Sequence, residues 1–376
     1  MGFIRQVLRG KLPSRRRQRN NEPEQSPPPT APIHALDTLP SLPIPRRPLT
    51  PTPPHPQQQP PSPFFRLPPE LRQQIYRLVL STREIHLDMR YTAAETTTPH
   101  STRGAYLEPS RRWRWRASTC HRHPDAQPLS DRCGWGGPPL TACHLFPGTT
   151  CSVGREVLGL LLACRLAYRE VVEVLYGENT FHVGTGAVVL YTDRLLPRER
   201  ARAVRRLVYR VTEESVWGYA EEHLGIAPGL EAYGVLLGRV PRAFPGLVEL
   251  VVVVQGALEM GRVHWGRGRR DLLEAGATRH CLLGAMDAVV RGFGGRLGEC
   301  VLAMRHTAFD RIMEAERVSA EKFESRAGKW VQFWRPVTVA CGDEMLEAGY
   351  WVRRASPEEN AGPQLYYDLG ALSSST

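Results

Sequence analysis

Cysteine and histidine, the residue types that bind zinc, cluster between residues 120 and 151. The cluster consists of Cys120, His121, His123, Cys133, Cys143, His144 and Cys151. A structural zinc site takes four such ligands, commonly as two pairs of closely spaced residues. Here the only close pairings are Cys120 with His123 and Cys143 with His144. We therefore expect no metal and no other cofactor, and a zinc site in this segment is the alternative.

Arginine and tryptophan alternate just before this cluster, in a pattern that suits nucleic acid. The six residues are Arg111, Arg112, Trp113, Arg114, Trp115 and Arg116. Arginine contacts phosphates and tryptophan stacks on bases, so single-stranded nucleic acid is a rational ligand. The same residues could instead bind an acidic protein surface, or fold back so that the indole rings cover apolar core. A second basic cluster at residues 15–19 suits nuclear import or a nucleic-acid contact.

No catalytic signature occurs in the sequence. It contains no G-x-S-x-G, no H-E-x-x-H, no P-loop and no G-x-G-x-x-G after a strand pattern. Residues 292–298 are rich in glycine, but their spacing matches no phosphate-binding loop and suits the end of a helix. The sequence therefore predicts a protein that is not an enzyme.

The net charge of +11 favours an acidic partner. Lysine occurs only at positions 11, 322 and 329, so nearly all the cations are arginines, a bias that GC-rich coding also produces. With no secretory signal, the eight cysteines are expected to be mostly free thiols. The longest apolar run, residues 247–254, is too short to span a bilayer. We expect an intracellular protein of the cytoplasm, the nucleus or both, neither secreted nor bound to a membrane.

Composition divides the chain into a tail, one domain and an insertion. Residues 1–62 are basic and rich in proline with few apolar side chains, which predicts a disordered tail. Residues 92–151 lose hydrophobic periodicity and are predicted to be a low-order insertion. Residues 373–376 are predicted to be a disordered end. A single domain over residues 63–372 remains, long enough to bury one sizeable core.

A first helix is predicted to begin directly after the tail. Pro68 and Pro69 suit its first turn, where a missing N–H costs nothing, and Glu70 lies where the helix dipole favours an anion. Apolar residues at spacings of three and four predict one inward-facing stripe: Leu67, Leu71, Ile75, Leu78 and Val79. Arg72, Gln73 and Arg77 are predicted to face outward.

A second helix is predicted over residues 153–176, with Gly177 as its end. Its apolar positions keep a helical period, and Cys164 lies among them next to Leu161 and Tyr168. A buried small side chain is therefore expected at Cys164, not a nucleophile. Residues 180–183 predict a short strand.

Helix and strand patterns alternate along the rest of the chain. Strands are predicted at residues 84–91, 207–211, 247–254 and 299–304, with an edge strand at 329–334. Helices are predicted at residues 198–206, 231–244 and 279–293. This alternation predicts an α/β (α+β) fold with helices and strands in an irregular layered arrangement.

Two segments carry a recognisable pattern of residue types. The first contains Leu67, Pro68, Glu70, Leu71, Ile75 and Tyr76. The second contains Cys164, Arg165, Tyr168, Glu170, Leu175, Tyr176, Asn179, Thr180 and Phe181. Together they resemble a large fungal family labelled F-box-like or domain of unknown function. Its members carry an L-P-x-E-L-R-x-x-I-Y segment and a C-R-x-x-Y-x-E…L-Y…N-T-F segment.

The resemblance to F-box domains implies a protein partner. It implies that the first helix docks on a Skp1-like adaptor of a cullin ubiquitin ligase, and that a following domain, often of leucine-rich repeats, recruits a substrate. The sequence departs from F-box domains by passing from one helix straight to the strand near Ile85. The alternative is that the apolar residues of this helix pack on the 153–176 helix, while Arg165, Glu170 and Asn179 fix the helix–strand corner. That structural domain would not bind Skp1.

We predict a single F-box-like α/β domain, with a leucine-rich-repeat-like arrangement as one form of it. Its predicted role is a non-catalytic protein-interaction module, and the specific hypothesis is a substrate-recruiting adaptor of a cullin-type ubiquitin ligase. A nucleic-acid-binding protein that uses the Arg/Trp segment and the basic tail is the alternative. The exposure of Leu71 and Ile75 distinguishes an adaptor from a structural domain. An adaptor leaves at least one of these side chains partly exposed, whereas a purely structural helix buries both.

Overall fold

The computed structural model describes residues 39–42, 62–81, 83–93, 111–119, 161, 165–211, 230–254, 262–265, 268–271, 275–304, 306–325, 328–341 and 344–354. Its helices are α1 (Pro69–Leu80), α2 (Arg165–Gly177), α3 (Gly186–Leu190), α4 (Thr192–Leu195), α5 (Arg198–Ala203), α6 (Leu230–Ala243), α7 (Ala275–Phe293) and α8 (His306–Glu316). Its strands are β1 (Glu84–Ala93), β2 (Arg111–Thr119), β3 (Thr180–Val183), β4 (Arg206–Val211), β5 (Glu249–Val254), β6 (Arg262–Trp265), β7 (Gly268–Asp271), β8 (Glu299–Met304), β9 (Glu321–Ser325), β10 (Gly328–Cys341) and β11 (Glu344–Arg354). The predicted α/β fold is confirmed.

Nine of these strands form one mixed sheet in the order β2-β1-β3-β4-β5-β8-β11-β10-β9. The middle strands, from β1 to β11, are parallel to one another. They follow one another across the sheet in the order in which they occur in the chain. Strand β2 at one side, and β10 and β9 at the other, are antiparallel to their neighbours. Strands β6 and β7 form a separate ribbon.

The helices pack against one face of the sheet. Each crossover advances one strand in the same direction, and right-handed crossovers then leave every connecting helix on the same side. Accordingly, residues of α1, α2, α6, α7 and α8 share one core cluster with alternate strand residues such as Leu207, Tyr209 and Val252. This cluster is the main core of the domain.

The opposite face of the sheet has a different chemistry. Residues directly opposite one another on neighbouring strands form a row from β1 to β10: His86, His182, Val208, Val251, Val301, Trp351 and Trp334. The ring centroids of His86 and His182 lie 5.1 Å apart, and so do those of Trp334 and Trp351. Val208, Val253, Val301 and Ala303 form a small second apolar cluster between them. This face therefore changes from imidazole through aliphatic to indole along one row.

Most predicted elements occur, and the differences have physical reasons. Within the predicted insertion, residues 111–119 form strand β2, because arginine and tryptophan alternate there with the period of a strand. Strand β10 covers the predicted edge strand but is not at the edge, since β9 pairs with its outer side. In the predicted tail, residues 39–42 contact the domain, and Leu39 belongs to the core. Gly294 and Gly295 adopt positive φ angles of 61° and 75° after α7, which confirms that this glycine-rich stretch ends a helix.

None of the helices in these described ranges combines the length and the apolar character that crossing a membrane requires.

Candidate functional site

Helix α1 forms where the sequence supplies a start and a stop. Pro69 occupies its first turn, and Glu70 adds a negative charge near the positive end of the helix dipole. At the other end the hydroxyl of Ser81 donates a hydrogen bond of 2.7 Å to the carbonyl oxygen of Arg77. The helix is therefore well defined over its three turns, and its rotation about its own axis decides which side chains meet the domain.

The inner face of α1 is built from Arg72, Tyr76 and Leu80, which are spaced four residues apart and are all buried. The prediction that Arg72 faces outward is wrong. Its guanidinium forms a two-pronged ion pair with Glu170 of α2, in which Nη2 donates to Oε1 at 2.6 Å and Nε donates to Oε2 at 3.0 Å. The Tyr76 hydroxyl donates to the same Oε2 at 3.1 Å. We call Arg72, Glu170 and Tyr76 the N-terminal network.

The N-terminal network changes the acidity of Glu170. The hydrogen bond from Arg72 and, to a smaller extent, that from Tyr76 lower the pKa of this carboxyl, while desolvation opposes them. Arg72 is held in turn by the carbonyl oxygen of Leu67, which accepts a hydrogen bond of 2.6 Å from Nη1. Because the charged groups are paired and hydrogen-bonded, Arg72 can be buried beside Tyr76 and Leu80 at the inner face of α1.

The outer face of α1 carries apolar side chains that the domain covers only in part. Leu71 is 46% exposed, Ile75 37% and Leu78 82%. The prediction that Leu71, Ile75 and Leu78 form the inward-facing stripe is therefore wrong, whereas Val79, which was predicted with them, packs against the core. The reason is the N-terminal network, which turns the opposite side of α1 inward. We call Leu71, Ile75 and Leu78 the outer stripe.

The residues around α1 extend both of its faces. Leu67 is half-buried, whereas Pro68 and Glu70 are exposed. Phe64, in the 3-10 turn at Pro63–Arg66, packs on the ring of Tyr76 at 5.6 Å. On α2, Leu166 lies one helical turn before Glu170 and is exposed. Helix α1 is thus fixed at its inner side and partly exposed at its outer side.

The corner between α2 and β3 is fixed by Asn179, which is fully buried. Its Nδ2 donates to the carbonyl oxygen of Leu175 at 2.9 Å, and its Oδ1 accepts from the backbone N–H of Arg83 at 2.8 Å. One amide side chain therefore ends α2 and holds the start of β1 beside β3. The prediction that Asn179 fixes this corner is confirmed, whereas Glu170 bonds to α1 instead.

The other predicted residues of the second motif have mainly packing roles. Leu175 is buried, and the rings of Tyr176 and Phe181 stack with centroids 5.5 Å apart. Tyr168 is half-buried under the guanidinium of Arg200, which lies 5.2 Å from its ring centroid. Arg165 is exposed, and the backbone N–H of Thr180 bonds to Arg83 O at 3.0 Å. Cys164 lies outside the described residues.

The Arg/Trp segment is part of the sheet. In strand β2, Trp113 is buried in the core while Trp115 is 39% exposed. One of the two indole rings therefore covers apolar core, as one interpretation of the sequence expected. The described ranges contain no group of three or more His, Cys, Asp or Glu side chains placed to hold a metal ion. The cysteine and histidine cluster of residues 120–151 and the basic cluster of residues 15–19 lie outside those ranges.

Sequence reasoning missed a second polar network, on the helix-covered face of the sheet. Arg335 of β10 donates to both oxygens of Asp287 on α7, at 3.0 and 2.9 Å, and to Glu316 of α8 at 2.9 Å. The Tyr350 hydroxyl donates to Asp287 at 3.0 Å. Burial, and then the charge of Asp287, raise the pKa of Tyr350. We call Arg335, Asp287, Glu316 and Tyr350 the C-terminal network.

No short-range signal in the sequence marks the C-terminal network, because the partners of its hydrogen bonds are 19 or more residues apart. The remaining titratable site of note is Cys300 in β8, where burial raises the thiol pKa to about 12. A thiol with so high a pKa stays protonated and is a poor nucleophile. Neither feature forms a reactive centre, so the outer stripe of α1 is the strongest candidate for a functional surface.

Comparison with known proteins gives one match. A family model described as domain of unknown function (DUF7730) matches residues 57–274. The match includes α1, α2 and the N-terminal network, and it ends before α7. Neither the curated proteins nor the solved structures contain a significant match to the chain.

Proposed function

The chain belongs to the family of the domain of unknown function DUF7730, and on this premise we propose that it is a non-catalytic protein-interaction module that docks through helix α1. The observation that carries the proposal is the orientation of this helix. It buries Arg72 beside Tyr76 and Leu80 and leaves the outer stripe of Leu71, Ile75 and Leu78 partly exposed. An amphipathic helix with only a structural role is expected to keep charged side chains in water and to cover its large apolar ones.

The outer stripe has the geometry of a helix that fits a groove. Its residues are spaced at four and three positions, so they lie along one side of α1. Helices recognised in hydrophobic grooves present their anchors at such spacings. Covering a leucine or isoleucine fully is worth about 1.5–3 kcal/mol, so these partly exposed side chains offer several kcal/mol to a partner.

The N-terminal network is what makes this surface rigid. Its bidentate ion pair and its tyrosine hydrogen bond fix the rotation of α1 on α2, so the outer stripe is presented in one orientation. A preformed surface loses less conformational freedom on binding than a flexible one does. The N-terminal network therefore contributes to binding without contacting the partner.

For the partner we propose an adaptor of the Skp1 class. This choice is supported by the resemblance of residues 67–76 to the first helix of F-box domains. In this proposal the α/β sheet and its helices recruit a substrate, and the protein acts as the substrate-recruiting adaptor of a cullin-type ubiquitin ligase, in the cytoplasm, the nucleus or both. The outer stripe would then be the link between the recruited protein and the ligase.

Co-purification with a Skp1-like adaptor tests the proposal. We expect the full chain to retain the adaptor, and the double variant Leu71→Asp, Ile75→Asp to lose it while still showing a cooperative thermal unfolding transition. Met345→Asp is the control, since Met345 is an exposed apolar residue at the start of β11, far from α1 in the sequence. Adaptor binding that survives the double variant in a folded protein would remove the role assigned to the outer stripe. Failure of the unaltered chain to bind would remove Skp1 as the partner.

Single-stranded nucleic acid is the second candidate ligand, and the exposed ring of Trp115 on the outermost strand β2 favours it. Stacking of a base on this ring should quench its fluorescence, and the affinity should fall steeply with salt. Trp115→Ala should abolish the binding, whereas Trp334→Ala, which removes an exposed indole at the far side of the sheet, should not. Binding that is insensitive to salt would exclude this mode.

A further inference from the structure

The large sheet has two outermost strands, and they differ in length and in sequence. Strand β9 has five residues and pairs with β10 only as far as Gln332. Further along β10 comes Pro336, which has no N–H to offer another strand. Strand β2, at the other side, has nine residues and contains no proline. Short strands and prolines protect a sheet edge against the addition of another strand, so only the β9 side has this protection.

Strand β2 has the regular backbone that strand addition requires. It pairs with β1 at nine consecutive positions, from Thr119 opposite Ile85 to Arg111 opposite Ala93, without a bulge. Alternate residues of a paired strand direct their N–H and C=O groups away from the partner strand. None of the other strands that the structure describes pairs with this outer side of β2, which we call the β2 edge. The β2 edge is therefore a row of backbone donors and acceptors about nine residues long.

The residue types beside the β2 edge differ between the two faces of the sheet. On the face that the helices cover, Trp113 is buried in the core, whereas Trp115 is 39% exposed and Ala117 is exposed. Strand alternation places arginines at positions 112, 114 and 116 on the opposite face. An added strand would therefore meet apolar residues on one face and three cationic positions on the other.

The arginines select which strand can be added. Residues directly opposite one another on neighbouring strands interact, and there like charges are unfavourable while opposite charges are favourable. A second copy of β2 in the usual two-fold arrangement would place arginines beside arginines, so self-pairing is disfavoured. Acidic side chains at every second position would instead complement Arg112, Arg114 and Arg116, and apolar side chains between them would cover Trp115. The complementary strand thus alternates acidic and apolar residues.

We propose that the β2 edge is a strand-addition site for an extended peptide in which acidic and apolar residues alternate. Main-chain hydrogen bonds to β2 supply affinity in this mode of recognition, and the arginine and tryptophan positions supply selectivity. The site uses no residue of the outer stripe of α1, so it goes beyond the proposed adaptor interaction and is independent of it. It shares Trp115 with the single-stranded nucleic-acid mode, and an oligonucleotide is therefore included in the test.

A synthetic nine-residue peptide of alternating glutamate and valine tests the proposal on the full chain. We expect saturable binding by fluorescence anisotropy, and no binding of the matching lysine–valine peptide. In an added strand only alternate N–H groups face β2. N-methylation of that set should weaken binding by about tenfold or more, whereas N-methylation of the other set should change it by less than about threefold. A peptide that binds equally well with either set methylated would show that the backbone of β2 is not used, and would overturn the proposal.

Charge reversal in the protein tests the selectivity. Arg114→Glu should weaken binding of the glutamate–valine peptide by about three- to tenfold and should permit binding of the lysine–valine peptide. Arg114 lies opposite Arg90 of β1, so the change also replaces a like-charge pair and is not expected to prevent folding. Lys322→Glu on β9 is the matched control, because it alters the net charge equally at an exposed position on the other edge and should leave binding unchanged.

Three results would overturn the proposal. One is a full chain that does not bind the glutamate–valine peptide. Another is equal weakening by Arg114→Glu and Lys322→Glu in proteins that both unfold cooperatively, since this would show an effect of net charge alone. The third is a single-stranded oligothymidylate that binds where the peptide does not, because this would assign the β2 edge to nucleic acid.

Discussion

The N-terminal and C-terminal networks use the same three groups for different purposes. Each joins an arginine, a carboxylate and a tyrosine hydroxyl, and in each the arginine donates hydrogen bonds to both carboxylate oxygens. The N-terminal network connects two helices at the surface and lies within the family match. The C-terminal network connects α7 and α8 to strands β10 and β11 and lies beyond it. The residue types in such a network therefore do not by themselves determine its role in the protein.

The two networks differ in how many structural elements would be affected if each network were broken. Around Arg335 two carboxylates and a buried phenol converge from separate elements, so its loss would affect the sheet and both helices. Around Glu170 one arginine and one tyrosine come from the same helix, so its loss would weaken the attachment of α1 alone. We infer that the C-terminal network stabilises the whole domain, whereas the N-terminal network sets the presentation of one helix.

The largest effect is expected for Asp287→Ala in the C-terminal network. It leaves Arg335 with Glu316 as its acidic partner and takes one acceptor from Tyr350. Breaking a largely buried ion pair should lower the free energy of unfolding by about 3 kcal/mol. Urea denaturation measures this loss. Asp193→Ala, which breaks the exposed pair with Arg242, is the control and should cost no more than about 0.5 kcal/mol. Equal losses in the two variants would contradict the comparison.

A smaller effect is expected for Gly349→Ala, which tests the backbone beneath the C-terminal network. A Cβ at this position would lie 2.4 Å from the carbonyl oxygen of Arg335 and 2.5 Å from the ring of Trp334. Relieving these contacts requires β10 and β11 to separate, at a cost of about 2 kcal/mol by thermal unfolding. Gly284→Ala on α7 is the matched control. Its Cβ meets nothing within 4 Å, so it should stabilise the helix by about 0.5–1 kcal/mol.

Glu170→Gln should cost about 1 kcal/mol at neutral pH, because it replaces a charged hydrogen-bond acceptor at the domain surface with a neutral one. The pKa of Glu170 is lower in the folded protein than in the unfolded chain. Its stabilising contribution is therefore complete above the unfolded pKa and is lost as the pH falls through the folded value. We expect the stability difference between the parent and the variant to disappear in acid, as measured by urea denaturation across pH. A difference that stays constant down to the most acidic pH would contradict this assignment.

The smallest effect is expected for Leu78→Ala on the outer stripe. Because this side chain is 82% exposed, its loss should change the unfolding free energy by no more than about 0.5 kcal/mol. The same variant should still weaken adaptor binding if the proposed docking is correct. A destabilisation above 1 kcal/mol would show that the outer stripe is part of the fold. Tyr76→Phe, which removes one hydrogen bond of the N-terminal network, provides a comparison from the inner face.

The rotation of α1 shows where sequence reasoning stops. Periodicity located the helix, but it placed the apolar stripe inside because apolar side chains are normally buried. Arg72 faces inward only because Glu170, 98 residues further along the chain, accepts its hydrogen bonds. The network is a tertiary contact, so no local pattern contains it. The orientation of an amphipathic helix therefore depends on polar partners as well as on its apolar side chains.

The helices and strands likewise divide into those that the sequence predicted and those that it did not. Strands such as β5 and β8 were predictable, because continuous β-branched or apolar runs are typical of buried parallel strands. Strand β11 and helix α8 were not predicted, since β11 mixes glycine, glutamate and arginine with its apolar residues. Its place depends on pairing with β10 over eleven consecutive positions, which only the folded arrangement reveals. The corner at Asn179 was predictable because an asparagine two residues after a helix end suits backbone capping.

The chain-order arrangement of the parallel strands has a practical consequence for dividing this protein. The family match ends at residue 274, yet β5 is bonded along five positions to β8, which begins at Glu299. A polypeptide truncated at the end of the match would leave the hydrogen-bonding groups of β5 and the apolar side of α6 without cover. Such a bare, β-branched edge is prone to self-association. Soluble expression should therefore require the chain to continue at least through Arg354, well past the boundary that sequence similarity draws.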